Sequence, residues 1–123
     1  MLHILVADTS PLHSARLIAH LESRGHEVDT ARDGDHALAM AASDAYDVML
    51  LDIHMPVFDG VEIMRRLHLL MGRSLRVIAM SADQLAARRQ EMTRMGVDGY
   101  LTKPVNLERL DEELARILPK SRN

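Results

Sequence analysis

The chain alternates between five short apolar runs of strand length and longer stretches of helical period, one after each run, and few folds accommodate that alternation. The short runs are Leu2 to Ala7, Glu27 to Ala31, Asp47 to Leu51, Leu75 to Met80 and Gly99 to Thr102. Strands separated by whole helices are joined by crossovers rather than hairpins, so they lie parallel with helices on both faces. The expectation is an α/β domain.

Helix signals stand where the alternation needs them. Ser10 is a capping residue ahead of Pro11, whose missing N–H costs nothing at the first helical position, and Leu12, Ala15, Ala19 and Leu21 are expected along one side until Gly25 ends the helix. Asp33-Gly34 opens a second helix carrying Ala37, Leu38 and Ala41. Asp59-Gly60 precedes a third with Val61, Met64, Leu67 and Met71, which stops at Gly72. A fourth, weaker in pattern, is expected from about Ala82 to Met95, giving Met92 and Met95 to the core before Gly96. The last follows Asn106, with Leu107, Leu110, Leu114 and Ile117 as its apolar stripe and Pro119 closing it. Ser81 is also a plausible cap for the fourth helix.

A chain of 123 residues suits one compact domain. Only two Tyr and one Phe are present, so aliphatic and Met side chains must fill the core. The absence of cysteine excludes disulfides, thiol nucleophiles and thiolate metal sites, and fits a reducing cytosol. A formal net charge of -3 supplies no positive field to gather nucleic acid or anionic lipid, and the pairs Arg65-Arg66 and Arg88-Arg89 read as solvated helix surface. No apolar run approaches the roughly 20 residues that cross a bilayer, and no export pattern opens the chain. The expectation is a stand-alone, soluble, cytoplasmic module of residues 1–123 without direct contact to nucleic acid or membrane, the alternative being one domain of a longer protein.

In an open parallel sheet, ligands sit outside the carboxyl ends of the strands, so polar residues that directly follow apolar runs are informative. Asp8 follows Leu5-Val6-Ala7, Asp52 follows Val48-Met49-Leu50-Leu51, Ser81 follows Val77-Ile78-Ala79-Met80, and Lys103 follows Tyr100-Leu101-Thr102. Two acids, a hydroxyl and a lysine should then meet at one edge. Two close carboxylates repel, and Mg²⁺ offsets that repulsion while accepting hard oxygen ligands. One carboxylate can attack phosphorus to form an acyl phosphate, with Lys and Ser neutralising and orienting its oxygens. Taken singly, Asp8 and Ser81 read as caps and Lys103 as a surface lysine; their joint placement carries the reading.

The segments Ile4 to Asp8, Tyr46 to Pro56, Phe58-Asp59-Gly60, Val77 to Ala82 and Tyr100-Leu101-Thr102-Lys103-Pro104 resemble, in order and spacing, the receiver domains of two-component response regulators. The resemblance spans essentially the whole chain. It implies a flavodoxin-like, doubly wound five-stranded sheet of order 2-1-3-4-5 flanked by five helices. It also implies that Asp52 accepts a phosphoryl group from a histidine kinase or phosphotransfer protein, and that Asp52, the backbone carbonyl of His54 and Asp8, the last commonly through water, hold Mg²⁺. Ser81 and Lys103 would contact the phosphoryl group, Lys103-Pro104 would be cis, and Tyr100 would be the aromatic that changes rotamer with Ser81. His54 and Asp83, each two residues beyond a phosphate-contacting position, would modulate dephosphorylation. Such a domain is no enzyme on another substrate; it takes part in its own phosphotransfer and dephosphorylation, and signals to a downstream protein.

One position departs from the family. Receivers usually carry two adjacent acids after the first strand, the second commonly ligating Mg²⁺ directly, and here the pair is Asp8-Thr9. Mg²⁺ affinity is expected to fall. A degenerate receiver that binds partners without phosphorylation is the competing reading. An aspartyl phosphatase would want an acid where His54 stands, and a flavin protein would want a different loop and more aromatic rings. The remaining histidines, His3, His13, His20, His26, His36 and His68, are scattered and read as surface or packing residues.

Overall fold

The computed structural model describes residues 1–55, 59–72, 75–83 and 85–118. Strands β1 (His3–Ala7), β2 (Glu27–Ala31), β3 (Val48–Asp52), β4 (Arg76–Ser81) and β5 (Gly99–Thr102) alternate with helices α1 (Pro11–Ser23), α2 (Gly34–Ser43), α3 (Gly60–Met71), α4 (Ala86–Arg94) and α5 (Leu107–Ile117). All strand pairs are parallel, in the order β2-β1-β3-β4-β5. That is the expected doubly wound sheet. Pro119, expected to close α5, and Pro56 and Phe58 of the loop motif lie outside the described residues.

Because successive strand residues point to opposite faces, the central strands feed two cores at once. Leu5, Ala7, Met49, Leu51, Val77 and Ala79 pack with α2, α3 and Met92 of α4 on one face. Ile4, Val6, Val48, Leu50, Ile78 and Met80 pack with Leu17 and Leu21 of α1 and Leu110, Leu114 and Ile117 of α5 on the other. Four helices are capped as their sequences require: Ser10, Asp33, Asp59 and Asn106 accept from the N–H groups of His13, His36, Glu62 and Arg109. Gly25 and Gly96, at φ 87° and 102°, turn the chain through the left-handed region after α1 and α4.

Two sequence expectations fail here and a third holds only in part. The buried face of α1 is Ser14, Leu17 and Leu21, while Ala15 and Ala19 are exposed and Leu12 is 85% exposed. At about 100° per residue, Ala19 and Leu21 lie roughly 200° apart and cannot share a side; the i, i+4 leucine pair turns the helix instead. Helix α4 begins at Ala86 rather than Ala82, behind an N-cap Leu85 without a side-chain cap. The Ser81 hydroxyl accepts from the N–H of Asp83, and the Asp83 carboxylate accepts from the N–H of Leu85. These local bonds satisfy N–H groups outside a helix and delay its start. Met92 is buried as expected, but Met95 is only partly so.

At the amino ends of the strands a polar cluster closes the fold. The His3 ring lies 2.9 Å from both Asp29 Oδ2 and the Ala45 carbonyl oxygen, and the Tyr46 hydroxyl donates to Asp29 at 2.8 Å. The Asp29 bond raises the His3 pKa against a smaller opposing effect of burial, and the bonds from Tyr46 and His3 lower that of Asp29.

Candidate functional site

The carboxyl ends of β1, β3, β4 and β5 bring the four anticipated side chains together. Asp52 and Ser81 are the last residues of β3 and β4, and Asp8 and Lys103 directly follow β1 and β5. Main-chain bonds hold these ends in register: Asp8 N–H to Ala31 O, Ile53 N–H to Met80 O, and Lys103 N–H to Ser81 O. Asp8, Asp52 and Ser81 are all buried, at 3%, 4% and 0% exposure. The Lys103 ammonium lies 3.2 Å from Asp8 Oδ1 and 3.2 Å from Asp52 Oδ2. One cation therefore bridges two buried carboxylates, the arrangement that makes both charges tolerable away from water. The Lys103-Pro104 peptide is cis, as the sequence led us to expect.

Burial opposes ionisation of Asp8. The Ser10 N–H, the His13 ring and the Lys103 ammonium outweigh it and hold the carboxyl below its ordinary value. Asp52 Oδ1 accepts from the main-chain N–H of His54 at 3.0 Å. The His54 Nε2 lies 3.2 Å from the Ser81 hydroxyl, although the residue as a whole is exposed. Tyr100 is buried, and its hydroxyl donates to the Asp83 carbonyl at 3.0 Å, so it is tied to the loop that follows Ser81. The Asp83 carboxylate serves Leu85 N–H and lies 3.8 Å from the Arg88 guanidinium, on the α4 side of that loop. Thr9 is exposed and lines a shallow hollow with Pro11, Ala15 and Arg32.

His13, expected among the surface or packing histidines, instead faces Asp8. Its Nδ1 lies 2.5 Å from Asp8 Oδ2, with only 9% of its side chain exposed. The signal was present but indirect: a helix starting at Pro11 carries its third residue back toward the strand end it has just left.

The donor set fits a hard divalent cation. Asp8 Oδ1 and Asp52 Oδ2 converge on one point, where a positive charge already sits in the form of the ammonium. Oxygen donors of this kind suit Mg²⁺.

A doubly wound sheet with two acids, a hydroxyl and a lysine gathered at its carboxyl edge is the layout expected of a receiver domain. The sequence profile of the response regulator receiver domain matches residues 4–115, and the chain belongs to that family, the receiver domains of two-component systems. Among its relatives is the sensor histidine kinase RcsC of Salmonella typhi, 38% identical over 112 residues that cover 91% of this chain. The match spans 12% of that kinase's length. Among solved structures, the chemotaxis response regulator CheY4 of Vibrio cholerae superposes with a TM-score of 0.89 at 31% identity, covering 96% of this chain and 99% of that one. The receiver domain of the sensor histidine kinase PA1611 from Pseudomonas aeruginosa superposes with a TM-score of 0.85 at 31% identity, covering 94% of this chain and 96% of that one. In that structure a magnesium ion is coordinated in the active site cleft. Among the described residues, no helix of this chain is long and apolar enough to cross a membrane.

Proposed function

We propose that this chain is a phosphorylation switch in which Asp52 accepts a phosphoryl group from a histidine kinase or phosphotransfer protein, with Mg²⁺ as cofactor. The observation that carries the reading is the shared bond of Lys103 to Asp8 and Asp52 at 3.2 Å each. An Asp52 oxygen attacks phosphorus as the bond from phosphorus to the donor's nitrogen breaks, and the leaving imidazole takes up a proton. Asp8, Asp52 and the His54 carbonyl would hold Mg²⁺, which supplies positive charge to the incoming phosphoryl oxygens. Lys103 would leave Asp8 and follow the new phosphoryl group, and Ser81 would give it a hydroxyl hydrogen bond. Movement of Ser81 would disturb its bonds to His54 and to Asp83 N–H, and through Asp83 the Tyr100 hydroxyl. The change therefore reaches the face of α4, β5 and α5, where a downstream protein would read it.

In this account residues 1–123 act as one receiver module in the cytoplasm, and the chain turns over no substrate but its own phosphoryl group. His54 and Asp83 modulate water's access to it. A second reading, a receiver that binds partners without phosphorylation, is favoured by Thr9. The test is amide hydrogen exchange with and without Mg²⁺ and a small phosphodonor. A change in α4 and β5 that is lost in Lys103→Ala supports the switch, and identical exchange in both conditions supports the fixed module.

A further inference from the structure

The end of β1 offers one acid, Asp8, followed by a neutral Thr9, and that acid is gripped from two sides. Its Oδ1 accepts from Ser10 N–H at 3.0 Å and from Lys103 at 3.2 Å. Its Oδ2 accepts from His13. The torsion that turns a carboxylate about its own axis is soft, so donors on one oxygen alone leave its plane poorly fixed. A donor on the second oxygen locks it.

The tautomer of His13 follows from its neighbours. The main-chain N–H of Val105 can only donate, and it points at Nε2 from 3.4 Å. An ionised Asp8 can only accept. Nε2 therefore carries the lone pair and Nδ1 the proton, which places the N–H on Asp8 and leaves no ring nitrogen free to ligate a metal. Val105 is also held through its carbonyl, which accepts from Arg16 of α1 at 2.6 Å. One helix thus grips both the acid after β1 and the segment two residues beyond Lys103.

We propose that His13 is a positioning residue of the cation site: by donating Nδ1–H to Asp8 while accepting from Val105 N–H, it fixes the one acid left after β1 in register with Lys103 and Asp52. The proposal rests on the reading that Asp8 and Asp52 bind Mg²⁺. Hydrogen bonds to a ligating carboxylate set its direction, and their loss typically lowers metal affinity about 10- to 100-fold. With a neutral Thr9 in place of a second acid this orientation matters more, because the end of β1 holds no other carboxylate to substitute for a misaligned Asp8.

The experiment is calorimetric titration of Mg²⁺ into the wild-type chain and into His13→Leu and His13→Asn. His13→Leu keeps bulk and removes the donor; His13→Asn keeps an N–H donor at nearly the same reach. The expected result is an Mg²⁺ Kd raised about 10-fold or more in His13→Leu and close to wild type in His13→Asn. Wild-type affinity in a folded His13→Leu overturns the proposal, as does an equal loss in His13→Asn. Should the Leu variant not fold, His13→Ala is titrated with and without free imidazole. Imidazole-restored affinity supports the positioning role, and affinity indifferent to imidazole overturns it. A wild-type chain that binds no Mg²⁺ refutes the cation reading itself, a failure visible before any variant is made.

Discussion

Thr9→Asp puts a carboxylate back beside Asp8, and two readouts of that change have opposite signs. Thr9 is exposed while Asp8 is buried, so the new charge sits at the rim of the site in a water-like dielectric. A carboxylate about 4 Å from a divalent cation is attracted by about 2 kcal/mol under those conditions. Desolvation of the carboxylate and displacement of metal-bound water offset part of this. A net gain of about 1.4 kcal/mol corresponds to an Mg²⁺ Kd roughly tenfold lower. Without metal the sign reverses, since a third carboxylate then joins Asp8 and Asp52, which already share Lys103, and Arg32 across the Thr9 hollow offsets only part of the repulsion. That repulsion, about 1 kcal/mol at 4 Å in water, lowers the melting temperature by a few degrees in a domain of this size. The assay is a Mg²⁺ titration of both proteins alongside thermal melts in chelator and in saturating Mg²⁺. Equal or weaker Mg²⁺ affinity in Thr9→Asp would refute the reasoning, because the cation would then not lie against this end of β1.

Three further outcomes are expected. Gly60→Ala places a Cβ 2.6 Å from Ile53 Cβ and 2.8 Å from its Cγ2, so the midpoint of urea unfolding drops by the equivalent of about 1–3 kcal/mol, and an unchanged midpoint contradicts the tight approach of the start of α3 to Ile53, just after β3. The His3 pKa is raised, so its pair with Asp29 stabilises fully below the unfolded value of 6.5 and is lost as pH rises through the folded value. Asp29, with its pKa lowered, withdraws its share only as pH falls through its folded value. The pair is partly exposed and is worth under about 1 kcal/mol, so His3→Phe lowers the melting temperature slightly more near about pH 5.5 than near about pH 8.5, and the reverse order would contradict the assignment. Finally, Asp83→Ala slows release of phosphate from the phosphorylated chain and His54→Ala alters it, with decay rates matching wild type in both leaving these residues without that role.

The sheet and most of the site were legible in the sequence because the central strands are buried on both faces. Runs such as Val48 to Leu51 need no alternation to be recognised, and the first polar residue after each marks the functional edge. Helices were legible to the extent that one apolar face dominates. In α5, Leu110, Leu114 and Ile117 leave no choice of side, whereas in α1 Leu12 and two alanines make a false stripe with Leu21, and the i, i+4 pair of Leu17 and Leu21 sets the buried face instead. The start of α4 was hidden because Ser81 and Asp83 bond to nearby main chain, a competition that periodicity does not register. His13 escaped for a different reason. Its role depends on how the first turn of α1 folds back over the end of β1, which no spacing rule for paired ligands describes.

Phosphorylation of Asp52 underlies every step of the switch, and intact-protein and peptide mass spectrometry after incubation with Mg²⁺ and a small phosphodonor tests it. Wild type is expected to gain one phosphoryl group, labile to hydroxylamine as an acyl phosphate is, on the peptide containing Asp52. Asp52→Asn, which keeps the shape of the site and removes the nucleophile, is expected to gain none. Phosphate incorporated equally by Asp52→Asn, or none incorporated by the wild type under the same conditions, would contradict the account.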